Sequence, residues 1–244
     1  MYGFFYKANK YMIISLLLFY SHAFGSSNSI MQITADLPPF TVEDSKEQRG
    51  FLYEIVGLMH QHANLPYKPR FSPWPRAQKT AREKNNYLIF GLTRTKNREP
   101  NYLWIVNLLS IEVSFVMITG SPPKTLVEAK RLSISVARET PWSRFLNKNN
   151  FKRIQLVTKE IQNARMLIYN RVDAWYVPTV RAFYLLKKED ITRQPSYSIS
   201  FQNEDLYLAG SLKLSNEIVE KLRNAFDTVK KNGSYEKIYK KYFI

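Results

Sequence analysis

The sequence predicts an α/β protein of two lobes, each a mainly parallel sheet flanked by helices, with two extended crossovers between them. Three observations carry this. Short apolar strand patterns alternate with amphipathic helix patterns, which is the grammar of parallel sheets. The alternation occurs twice, before and after a proline-rich break at Gly120-Ser121-Pro122-Pro123. Two long extended segments, Leu108 to Thr119 and Asp205 to Gly210, belong to neither run and suit strands that pass between lobes.

In the first lobe, Ile30 to Ala35 alternates as a strand and ends in Asp36-Leu37-Pro38-Pro39-Phe40, where the prolines stop pairing. Phe51 to Ala63 has helical apolar spacing. Tyr67 to Phe71 is a second strand, and Ser72-Pro73-Trp74-Pro75-Arg76-Ala77 opens a helix with Pro75 in its first turn. Tyr87 to Phe90 is a buried strand. Beyond it lie Gly91, Thr93, Thr95 and Arg98. A small residue, hydroxyls and a guanidinium beyond a strand end have the layout of a small-anion site, because arginine offers a planar fork that matches a carboxylate.

The second lobe repeats the pattern. Strands are predicted at Leu132 to Val136, Ile154 to Val157 and Val172 to Val177, with helices from Pro141, over Lys159 to Tyr169 and over Thr179 to Lys188. Trp175 and Tyr176 alternate, which sends one inward and the other outward. Ser215 caps a long helix that Asn232-Gly233 stops, and a last helix runs from Ser234 to Tyr242.

The N-terminus reads as a secretory leader over 1–25: Lys7 and Lys10, the apolar run Tyr11 to Tyr20, then Ala23-Phe24-Gly25. The chain has no cysteine, so an exported protein here relies on its core alone, without disulfides or a lipidated cysteine. The formal charge is +16, and +14 without the two leader lysines. Its basic residues are dispersed and no nucleic-acid motif accompanies them, so nucleic acid is not expected as a partner. No nucleophile elbow, phosphate loop or metal-ligand spacing occurs, and His60 and His62 face different sides of one helix. No cofactor is expected.

Five segments in order resemble the family 3 bacterial extracellular solute-binding proteins. These are Ala35-Asp36-Leu37-Pro38-Pro39-Phe40, the run Gly91 to Glu99, Ile134 to Thr140, Asn170-Arg171-Val172-Asp173-Ala174, and Lys230 to Ile238. The resemblance covers nearly all of the mature chain, and Trp74-Pro75-Arg76-Ala77 suggests a divergent branch. It implies the type II periplasmic-binding-protein fold, with 26–112 plus 205–244 as lobe I and 113–204 as lobe II. It also implies a periplasmic, monomeric receptor for a small polar, carboxylate-bearing solute, which hands that solute to an inner-membrane ABC permease. A sensory input domain and a rarer enzymatic adaptation are the alternatives.

By position, Arg98 matches the arginine that grips the ligand carboxylate, with Thr93 beside it and backbone near Gly91 facing the ligand amine. Thr140 matches the lobe II hydroxyl, against a reading as a helix N-cap. Leu37 and Trp74 occupy places where side chains flank the ligand, and Arg76 is a further candidate contact, against a reading as a solvated helix face. Two positions depart from the pattern. Pro178 stands where the family has an amine-binding Asp, and Glu139 replaces a glycine. Either the ligand lacks an α-amino group, or Asp36 or Glu139 stands in for the missing carboxylate.

Overall fold

The computed structural model describes residues 30–189 and 193–243, so the leader expected over 1–25 lies outside the described residues. Its strands are β1 (Met31–Thr34), β2 (Arg70–Phe71), β3 (Tyr87–Thr93), β4 (Leu103–Met117), β5 (Ile134–Ala137), β6 (Ile154–Val157), β7 (Ala174–Pro178), β8 (Ser196–Tyr197) and β9 (Gln202–Gly210). Helices α1 (Phe51–His62) and α2 (Trp74–Glu83) belong to the first half of the chain. They are followed by α3 (Leu126–Ala129), α4 (Pro141–Lys148), α5 (Glu160–Ile168), α6 (Thr179–Lys188), α7 (Asn216–Lys231) and α8 (Ser234–Phe243).

The strands lie in the order β2-β1-β3-β9-β4-β7-β5-β6, with β8 beside β4. The outer groups β2-β1-β3 and β7-β5-β6 are parallel within themselves. The antiparallel members are the short β8, against β4, and the two crossovers, β4 and β9, which pair with each other from Leu103↔Gly210 to Val113↔Gln202. Both crossovers are longer than the sequence pattern predicts, because each continues to pair after it leaves one lobe. Bulges near Trp104 and Asn107 take up the twist as they do so. β2 is shorter than expected. Pro66 and Pro69 have no N–H to offer a ladder, and the Gln32 side chain serves this stretch instead. It donates to Pro66 O at 3.1 Å and accepts from Lys68 N at 3.1 Å.

Apolar packing follows the strands. In the first lobe α1 buries Phe51, Leu52, Ile55, Val56 and Met59, and α7 buries Val219, Leu222, Phe226 and Val229. The α8 rings Tyr235, Tyr239 and Phe243 close over Phe51. Gly50 starts α1 at φ 105°, and a Cβ there would sit 2.5 Å from Phe40 O, so no other residue fits without displacing backbone.

In the second lobe alternate residues of β4 serve opposite layers. Phe115 stacks among Tyr176, Phe151 and Phe201, while Val116 packs with Trp175 against α5 and α6. Trp175 and Tyr176 therefore differ from the expectation of one buried and one outward residue. Both are buried, because helices cover both faces of β7.

Candidate functional site

β3 ends at Thr93 after a bulge against β9, at which Gly91 adopts φ 78°. A β-carbon at Gly91 would lie 3.6 Å from Leu37 Cδ1 and 3.5 Å from Leu52 Cδ1. The chain then turns back through Thr95, whose carbonyl accepts from Arg98 N and Glu99 N, both at 2.9 Å. That turn aims the Arg98 guanidinium at the strand end. Arg98 is only 8% exposed. Nη1 donates to Thr93 O at 3.0 Å, and Nη2 donates to Gln78 Oε1 of α2 at 2.6 Å. Tyr102 braces Gln78 by donating to its carbonyl at 3.0 Å.

Arg98 has no ion-pair partner among the described residues. Burial is the first cause that lowers its pKa, to about 10, and the charge of Arg144 on α4 lowers it further. Tyr102 and Glu204 act in the opposite direction. A buried guanidinium that neutral groups alone satisfy is electrostatically expensive. An anion placed against Arg98 relieves that cost, and the exposed Arg144 adds positive potential there.

Glu204 is the acid nearest to filling that role. It lies on β9 opposite Ile111, and Gln202 Nε2 donates to its Oε1 at 3.2 Å. Gln202 in turn accepts from the Tyr176 hydroxyl at 3.0 Å. Burial pushes the Glu204 carboxyl up to about 7 and Asp205 adds to this, while Arg98 and Arg144 pull it down. Glu204 thus feels charges from both lobes and pairs with neither.

A second buried arginine lies nearby and is fully engaged. Arg181 of α6 is 3% exposed and pairs with Glu160 of α5 at 2.7 Å. Its Nε crosses to the first lobe and donates to Pro38 O at 3.0 Å, with the guanidinium over the Phe40 and Trp142 rings.

The other positions singled out in the sequence are spread around this centre. Gly91, Thr93, Leu37 and Arg98 come together at the end of β3. The Thr140 hydroxyl donates to Ala137 O at 2.8 Å and accepts from Ser143 N at 3.1 Å, so it is spent on capping α4. Trp74 is half-buried against the apolar cluster of Ile33, Ala77 and Tyr102. Arg76 is exposed. Asp36 is exposed and accepts from Glu43 N at 3.1 Å. Glu139 is exposed as well, held at φ 60°.

Sequence reasoning missed Gln78, Arg144, Arg181 and Glu204. Gln78 was within reach, since it stands four residues after Trp74 and shares its helix face. Among the described residues no group of three metal-ligand side chains gathers, and no helix is long and apolar enough to cross a membrane.

The sequence model of the bacterial extracellular solute-binding proteins, family 3, matches residues 30–244. The chain belongs to this family. No curated protein sequence matches it. Solved structures share the family's fold at low identity. A histidine kinase sensor domain with similarity to periplasmic binding proteins superposes with TM-score 0.79 at 15% identity, covering 88% of this chain and 96% of that one. The arginine-, lysine-, histidine-binding protein ArtJ of Geobacillus stearothermophilus gives TM-score 0.75 at 20% identity, over 88% and 95%. The GluR0 ligand-binding core of Nostoc punctiforme, solved with L-glutamate, gives 0.77 at 13%, over 88% and 99%. The solute-binding family explains the mixed sheet: its parallel outer strands build the lobes and its antiparallel pair joins them.

Proposed function

We propose that this solute-binding protein captures a small polar, carboxylate-bearing solute, an amino acid or a relative of one, between two lobes. Lobe I comprises 26–112 with 205–244, lobe II comprises 113–204, and 1–25 is a leader removed on export to the periplasm. One observation carries the reading: the buried Arg98 guanidinium has neutral partners only, at the end of β3. A ligand carboxylate supplies the missing anion. Thr93, Gly91 and Leu37 shape the site around it.

The work done is binding, not turnover. Contacts to Arg98 on one lobe and to Arg144 on the other favour the closed arrangement, so the ligand shifts the population of closed molecules. An inner-membrane ABC permease then recognises the closed monomer and takes the solute. The amino-acid ligands named for ArtJ and GluR0 support the choice of solute class.

The likeness to a histidine kinase sensor domain favours a second reading, in which the closed form reports to a membrane receptor. Thermal-shift measurements against the twenty amino acids and simple organic acids test the binding reading. At least one carboxylate is expected to raise Tm in a concentration-dependent way, and silence across the panel ends the proposal. Uptake of the positive solute by cells with and without the protein separates transport from sensing.

A further inference from the structure

We infer that Glu204, on the crossover strand β9, receives the ammonium group of the ligand. This rests on the binding reading above and adds the ligand's second functional group.

The strand register places the acid. Pro178 at the end of β7 and Gln202 at the start of β9 both lie opposite Val113 of β4, one on each side. Glu204 lies opposite Ile111, two cross-strand rows closer to the first lobe. Residues two apart on a strand share a face, so Glu204 projects from the same face as Gln202 and as Leu206. Leu206 in turn lies opposite Thr93, and the Thr93 carbonyl holds Arg98. The register therefore brings Glu204 within two residues of the β9 position that pairs with Thr93, where Arg98 is anchored. Glu204 and Arg98 are close enough to influence each other's charge but form no ion pair.

An α-amino acid carries its opposite charges on adjacent atoms and fits such a gap. Its carboxylate reaches Arg98 and its ammonium reaches Glu204. Gln202 steadies the Glu204 carboxylate through one oxygen at 3.2 Å and is itself held by Tyr176, which leaves the other oxygen for the ligand.

The competing acids are less suited. Asp36 is exposed and already caps the Glu43 amide, and Glu139 is exposed on its turn. Neither is desolvated, and an exposed carboxylate competes with water for the ammonium. Glu204 is half-buried, where a charge-assisted bond is stronger.

The test uses matched pairs that differ only in the amine: L-glutamate and glutarate, L-alanine and propionate, L-arginine and 5-guanidinovalerate. Each is titrated into the wild-type protein and into Glu204→Gln, which keeps the side-chain shape. Wild type should bind at least one amino acid about ten- to a hundredfold more tightly than its deaminated partner, the ratio expected for one charge-assisted bond. In E204Q that preference should collapse to within about threefold, while the deaminated acid binds at least as well as before. Thermal unfolding of E204Q shows whether the variant is folded. If it is not, Glu204→Ser provides the same comparison.

Equal binding of both members of every pair by wild type overturns the Glu204 assignment and leaves carboxylate capture standing. So does a preference that survives in E204Q, or one that D36N or E139Q abolishes instead. Binding of no amino acid across the thermal-shift panel overturns the assignment together with the amino-acid reading.

Discussion

Two buried arginines lie near the junction of the lobes, and they differ in one respect. Arg181 has a carboxylate partner in Glu160, a backbone carbonyl from the other lobe and two aromatic faces. Arg98 has a carbonyl, an amide oxygen and no anion. The protein has therefore completed one charge and left the other incomplete. The complete one holds structure together. Under the proposed function the incomplete one takes its anion from a ligand, and the two arginines differ in their partners, not in their burial.

The comparison is broken most severely at Arg181. Replacing it with Met strands the Glu160 carboxylate, which retains only Asn163 Nδ2 at 3.0 Å. Removing one partner of a buried pair costs about 3–5 kcal/mol. R181M should show that loss in urea unfolding, and the double replacement R181M/E160L should recover most of it. Arg98→Met should do the reverse, with stability within about 1 kcal/mol of wild type or above it, because it removes an uncompensated buried charge. If both single variants lose similar stability, Arg98 is structural and the contrast disappears.

Acidity sharpens the comparison at Glu204, whose charge Arg98, Asp205 and Arg144 influence and which Tyr176 reaches through Gln202. Burial raises its pKa from 4.5 to about 7, so in the ligand-free protein the folded state holds this proton more tightly than the unfolded chain. Its contribution to stability should therefore fall as pH rises from about 4.5 to about 7. An ammonium ligand needs the ionised form. Its affinity should rise with pH up to about 7 and level off above, with a proton released on binding at the acidic end. Calorimetry in buffers of different ionisation enthalpy reads that proton directly. A flat profile would remove Glu204 from the binding step.

The smallest expected effect is at Glu139, whose left-handed backbone costs a non-glycine residue about 1–2 kcal/mol. Glycine recovers part of this and loses some through the flexibility of the unfolded chain, so E139G should gain ~1 kcal/mol in chemical denaturation.

The sequence made the scaffold legible because strand and helix periods are local. Alternating residues from Ile30, helical spacing from Phe51 and the Ser215 cap each follow from neighbours a few positions away. The turn that carries Arg98 was legible for the same reason. Arg144, Arg181 and Glu204 were not, because their meaning comes from register. Glu204 matters only once Leu206 is known to lie opposite Thr93 and Ile111 opposite Glu204 itself. Arg181 looks like an ordinary helix residue until α6 is placed against Pro38. Thr140 shows the converse, since its position suggests a ligand contact while its hydroxyl is committed to the α4 backbone.

The most direct test is titration calorimetry of wild type and Arg98→Met with the tightest-binding carboxylate found in the thermal-shift panel. The account predicts that R98M remains as stable as wild type while its affinity falls by roughly one to two orders of magnitude, the equivalent of one charge-assisted bond. Undiminished affinity in a folded R98M would contradict it.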